Sequence, residues 1–127
     1  MDKLGVKPMS RVSVIGIEDR SFWQLLIDSG AEAIKGRLRK DSDLIFYAAD
    51  SLAALKQLDR LKSYLKANGA IWVVSLKGNG AKIKDIDVIA AAKRSGLVDN
   101  KVVSFSETHT SLRLVIPLKQ RNKQSTN

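Results

Sequence analysis

Apolar runs and amphipathic stretches take turns along this chain, and their alternation predicts strands and helices in the same order. Arg11 to Ile17, RVSVIGI, is β-branched and apolar on both faces of an extended backbone, as in a strand buried on both sides of a parallel sheet. Phe22, Leu25, Leu26 and Ser29 recur at helical spacing, which predicts a helix over Phe22 to Ser29 with Ser21 as its cap and Gly30 just beyond its end. Ala31 to Gly36, AEAIKG, is short and polar enough for a sheet edge, and Arg37 to Ser42 reads as a charged loop. Asp43 to Ala49, DLIFYAA, is a second doubly buried strand. Asp50 and Ser51 then cap a long helix to about Ala67, with Leu52, Leu55, Leu58, Leu61 and Leu65 as its apolar stripe and Asn68-Gly69 as its stop.

The second half continues the pattern. Ala70 to Leu76, AIWVVSL, is a third buried strand, and Lys77 to Lys84 is a basic loop with two glycines. Asp85 to Arg94 is an alanine-rich helix closed by Gly96. Lys101 to Ser106 and Ser111 to Pro117 read as strands joined by a turn at Glu107 to Thr110. Three strand-helix alternations imply a mostly parallel sheet covered on both faces, a three-layer α/β fold of about six strands. The last two strands add an antiparallel hairpin at one edge.

Composition narrows the setting. A chain of 127 residues, 44% hydrophobic and 28% charged, is sized for one domain, taken as residues 1–118. Lys119 to Asn127, KQRNKQSTN, holds three cations and nothing apolar, so a disordered basic tail is expected there. Without cysteine, disulfides and thiolate chemistry are excluded. No apolar run approaches the roughly 20 residues that cross a bilayer. The opening residues show no apolar signal region, so a cytoplasmic, bacterial-type home is expected, with no membrane partner. The net charge of +9 falls to +6 without the tail's three cations, and the remaining cations are scattered rather than striped. That spread reads first as solubility charge. Its alternative is nucleic-acid association through Lys35, Arg37, Arg39, Lys40 and the tail.

Several short passages carry a resemblance. Leu65 to Val74, LKANGAIWVV, and Ala91 to Asp99, AAKRSGLVD, resemble the second half of class I methyltransferases. Leu4-Gly5-Val6-Lys7-Pro8, Gly69-Ala70-Ile71-Trp72-Val73 and Ser106 to Arg113, SETHTSLR, together look like a bacterial family of unknown function whose members are short and methyltransferase-shaped. The resemblance implies a Rossmann-like fold and no particular activity. It also marks departures. Methyltransferases follow their first strand with a glycine-rich turn and end the second with an acidic residue that holds the ribose. Here the first strand runs VIGIEDR, with Gly16 alone and Ile17 expected to intrude, and the second ends in Lys35-Gly36 with no carboxylate until Asp41. About one helix and one strand of the full fold are missing between Arg37 and Asp43. No S-adenosylmethionine and no other cofactor is therefore expected.

A ligand of such a sheet binds beyond the carboxyl ends of the strands, where their order reverses. The candidate crevice is Gly16, Ile17, Glu18, Asp19, Asp50, Ser51, Ser75 and Lys77. Asp50 can accept a ligand hydroxyl or serve as a cap, and Glu18 and Asp19 can be bases or complement a helix dipole. The Lys77-Gly78-Asn79-Gly80 loop reads as a connector more than as an anion cradle. His109, beside Glu107 and Thr108, is the lone histidine and is assigned to the hairpin turn. Trp23 and Trp72 are assigned to the core. No catalytic residue and no metal ligand set is identified. The leading expectation is a non-catalytic binding or interaction module on a methyltransferase-like scaffold, with a protein partner or second copy at the hairpin edge. A methyltransferase with an aberrant cofactor site is the alternative.

Overall fold

The computed structural model describes residues 4–118, apart from the side chain of Asn79, so the basic tail at Lys119 to Asn127 lies outside the described residues. The elements follow as β1 (Arg11–Ile15), α1 (Arg20–Asp28), β2 (Glu32–Lys35), β3 (Ser42–Ala48), α2 (Leu52–Leu55), α3 (Leu58–Lys62), β4 (Leu65–Leu76), α4 (Asp85–Arg94), β5 (Val98–Ser104) and β6 (His109–Val115). One sheet has the order β2-β1-β3-β4-β6-β5, parallel from β2 to β4 and antiparallel where β6 meets β4 and β5. The α/β architecture and the antiparallel hairpin expected from the sequence are both present. Within the hairpin β6 lies inside, and β5 forms the edge with Val98 and Val102 exposed.

Side-chain alternation divides the interior into two cores. Val12, Val14, Phe46, Trp72 and Val74 face α1, where Phe22 and Leu26 cover them. Ile45, Ile71, Val73, Leu112 and Leu114 face Leu55, Leu58, Leu61, Val88 and Ala92 on the opposite side. The segment before β1 closes the first core. Leu4 and Val6 are buried there, and the Leu4 carbonyl accepts the Trp72 indole N–H at 3.0 Å.

Several boundaries differ from the sequence expectation. The cap of α1 is Asp19, not Ser21. Asp19 is extended and its carboxylate accepts the Phe22 N–H at 3.0 Å, while Ser21 already lies within the first turn. The helix expected to run to Ala67 is two short helices. The Tyr47 hydroxyl donates to the Ala54 carbonyl at 2.9 Å, occupying the acceptor that a continuous helix would offer to the Leu58 N–H. The backbone responds with tighter i to i+3 bonds at Lys56 and Gln57. Leu65 stays in the same core but belongs to β4, pairing with Ser42. The next register pair is Leu44 with Ala70, so residues 66–69 bulge and Asn68-Gly69 lies inside a strand instead of stopping a helix. β1 ends two residues early, and the hairpin strands begin earlier than expected because β6 pairs with β4 from Leu76↔His109 onward.

Only six residues, 36–41, join β2 to β3, in the place where a helix and a strand were expected to be missing. Parallel strands oblige them to return from one end of the sheet to the other, and extended chain of that length spans about 20 Å. They pass directly over β1 at Ser13. The Ser13 hydroxyl accepts the Arg39 N–H at 3.0 Å and lies 2.9 Å from the Ser42 hydroxyl, which donates to the Arg39 carbonyl. Ser13 is fully buried, so its small polar side chain is what lets a backbone lie on the sheet. Ser13→Ala is expected to cost about 1–3 kcal/mol by orphaning the Arg39 amide, read as a lower urea midpoint at unchanged slope.

Candidate functional site

The chain leaves β1 for β2 on one side and returns to β3 on the other, so the sheet reverses its direction of growth between β1 and β3. At such a point the following loops separate and leave a crevice beyond the carboxyl ends. Gly16 forms its floor. Its φ of +81° turns the chain out of β1, and a Cβ there would stand 3.3 Å from the Ala48 Cβ, so both the turn and the approach of β3 favour glycine.

Two adjoining cavities open above this floor. The first, about 320 Å³, is bordered by Gly16, Ala48, Asp50, Ser75, Leu76 and His109. The second, about 250 Å³, shares Gly16, Ala48, Val74 and His109 and adds Ile17, Glu18, Asp19, Phe105 and Thr108. Gly16, Ile17, Glu18, Asp19, Asp50 and Ser75 thus border these two adjoining cavities. Their roles differ. Ile17, expected to intrude, is buried in the α1-side core, and its carbonyl accepts the Trp23 indole N–H at 3.1 Å. Glu18 pairs with Lys35 across the ends of β1 and β2, and both side chains are exposed. Asp19 is committed to capping α1. Ser51 alone caps α2, accepting the Ala54 N–H at 3.1 Å, which leaves the exposed Asp50 carboxylate to the crevice.

Lys77 does not join them. Its ammonium donates to the Ser104 hydroxyl at 2.6 Å and the Ser106 carbonyl at 2.7 Å, fastening β4 to the hairpin. Of the cations at residues 35–40, Lys35 is paired with Glu18 and Arg39 reaches the Glu32 carbonyl.

His109 is the residue that sequence reasoning placed elsewhere. It opens β6 opposite Leu76 and borders both cavities, with Nδ1 held 2.8 Å from the Thr108 hydroxyl. The signal was present in the topology. A strand antiparallel to β4 begins where β4 ends, so the first residue of β6 must lie at the carboxyl edge of the sheet. Asp50, Ser75 and His109 therefore converge on one cavity. This set can bind a hydroxylated or amine-bearing ligand and exchange a proton with it. Among the described residues, no group of three or more His, Asp or Glu side chains could hold a metal ion.

Asp50 acts at a distance as well. Burial pushes the Tyr47 phenol above its ordinary value of 10.0, and the Asp50 charge adds to the effect. The folded state therefore holds this proton more tightly than the unfolded chain. Its contribution is complete below pH 10 and is lost as pH rises past that value. Melting temperature is expected to fall more steeply above pH 10 in the natural protein than in Tyr47→Phe, compared from their own neutral-pH values.

The order of strands, the crevice at the switch point and the closing hairpin decide the comparison with known structures. The fold is that of class I methyltransferases. Similar solved structures include the magnesium protoporphyrin IX methyltransferase of Synechocystis with bound S-adenosylmethionine, at 13% identity and TM-score 0.68 over 87% of this chain and 71% of that one. A methyltransferase from Aquifex aeolicus matches at 15% identity and TM-score 0.67, over 90% and 86% of the two chains. An O-methyltransferase of neocarzinostatin biosynthesis matches at 13% and TM-score 0.66 over 86% of this chain. The chain spans about half, 49%, of that enzyme's length. No family model and no curated protein matches the sequence.

Measured against class I methyltransferases, the residues at the end of β2 do not fit an adenosyl cofactor. Gly16 is the sole glycine of the turn after β1, and the position of the ribose-holding acid is taken by Lys35. Asp41, the next carboxylate along the chain, adjoins the first residue of β3 and so lies at the opposite end of the sheet. Neither crevice cavity is bordered by a residue of β2.

Proposed function

We propose that this protein is a binding module on a methyltransferase-like scaffold, with the switch-point crevice as its site and a small polar ligand as its occupant. The carrying observation is the asymmetry of that crevice. Its open volume is bordered by β1, β3, β4 and β6, where Asp50, Ser75 and His109 meet. The β2 side, where a ribose would need an acceptor, presents the Glu18–Lys35 pair instead. A phenol-bearing, hydroxylated or amine ligand suits the open half better than a nucleoside does. The exposed β5 edge is the surface for a protein partner or a second copy.

The second reading is S-adenosylmethionine-dependent methyl transfer by an atypical site. Likeness weighs on its side, because the similar structures are methyltransferases. On this reading Asp50 and His109 orient the methyl acceptor.

Calorimetric titration with S-adenosylmethionine and S-adenosylhomocysteine separates the two. The first reading expects no saturable heat up to about 1 mM ligand. Micromolar binding of S-adenosylmethionine would overturn the first reading, and methyl transfer to an acceptor that Asp50→Ala slows would establish the second.

A further inference from the structure

A cavity larger than either crevice cavity lies elsewhere. It lies on the opposite face of the sheet, between the short crossover of residues 36–41 and α3, with a volume of about 590 Å³, within the usual range of small-molecule sites. It shares no residue with the crevice. Its position follows from the topology. A helix crossing from β2 to β3 would cover β1 and β3 on this face, whereas a six-residue loop leaves the space beside it open.

The lining combines two kinds of chemistry. Ile15, Leu38, Leu61 and the rings of Tyr47 and Tyr64 provide apolar and aromatic walls. Arg37 of the crossover and Arg60 of α3 both border the cavity and bring two positive charges to it. No carboxylate borders the cavity, and neither guanidinium has a hydrogen bond or ion pair among the described residues. The Tyr64 hydroxyl is likewise uncommitted. Two cations without counter-charge bordering one aromatic-walled hollow favour an anion there.

We propose that this groove is a second binding site, for a small ligand with a planar apolar body and one anionic group. The body lies among Leu38, Leu61, Tyr47 and Tyr64. The anionic group, a carboxylate or a phosphate monoester, is clamped between Arg37 and Arg60. This proposal is independent of the occupant of the crevice.

The test uses the full chain and three probes of common shape, namely 1-naphthoate, 1-naphthyl phosphate and the neutral 1-naphthalenemethanol, followed by amide chemical shifts. At least one anion is expected to give saturable shifts at Gly36, Leu38, Leu61 and Tyr64, with the neutral alcohol about tenfold weaker. The tighter of the two anions identifies the head group. Arg37→Gln and Arg60→Gln are each expected to weaken binding about tenfold, with unchanged melting temperature because both side chains are exposed. Affinity in the unaltered protein is expected to fall with added salt, a readout that needs no variant. Equal affinity for the neutral alcohol, a flat salt response, binding untouched by both glutamine variants, shifts centred on Gly16 and His109, or no binding at all would each overturn the proposal.

Discussion

Trp72→Ala is expected to lower the stability of this protein by about 3–5 kcal/mol, the range for removing a large buried aromatic. Set against a total of about 5–15 kcal/mol for a domain of ordinary stability, that loss leaves a marginally folded chain. Three observations place the cost at the upper end. The side chain is fully buried in the middle of the sheet. Its ring lies parallel to that of Phe46, with centroids 6.4 Å apart and an interplanar angle of 6°. Its N–H also holds the Leu4 carbonyl, so the substitution loosens the segment that covers the α1-side core. Trp72→Phe separates these contributions. It keeps an apolar ring in the core and gives up the bond, for an expected cost of about 1–3 kcal/mol. Urea denaturation measures both, and a cost below 1 kcal/mol for the alanine variant would show that the covering segment is not fastened there.

Gly69→Ala is expected to cost about 1–3 kcal/mol, although alanine is ordinarily the mildest replacement for glycine. A Cβ at this position would stand 2.8 Å from the Asp43 carbonyl oxygen and 2.8 Å from Leu65 Cδ1. The carbonyl is backbone and cannot yield as a flexible side chain does. Asp43 is further fixed by the Arg11 N–H at 2.8 Å and by Lys66 at 3.1 Å. The β4 bulge must therefore open, moving Leu65 from its place in the second core. A stabilising or neutral result in the same denaturation experiment would mean that the bulge accommodates a Cβ and that Gly69 is not required for its close approach to Asp43.

The difference between these two sites shows what a sequence of this kind makes legible. Burial on both faces of AIWVVSL follows from its unbroken apolar run, so β4 and Trp72 are evident before any coordinates. The bulge is not, because Asn-Gly is an equally good signal for a helix end, and only the pairing of Leu65 with Ser42 decides between them. The broken helix is hidden for a similar reason. A leucine stripe satisfies the same core whether its backbone is one helix, two, or a helix followed by a strand, and the deciding bond comes from Tyr47 on another element. The crevice was legible through its topology, which brought Gly16, Asp50 and Ser75 together. His109 escaped because its location depends on strand direction, a property of the sheet that local turn chemistry does not express.

Ser13 carries the clearest lesson about the missing elements. A serine inside VSV reads as a minor polar interruption of a buried strand. In the folded chain it is the point where a crossover of six residues replaces a helix, and its hydroxyl meets the needs of that backbone. The short crossover leaves open the groove beside α3.

The central claim is that the carboxyl ends of β1 and β2 do not accept a nucleoside. Amide chemical shifts of the natural chain, recorded with S-adenosylhomocysteine raised to about 1 mM, test it most directly. No saturable movement is expected at Gly16, Ile17, Glu18, Asp19, Lys35 or Gly36. Saturable shifts concentrated on those six amides would contradict it.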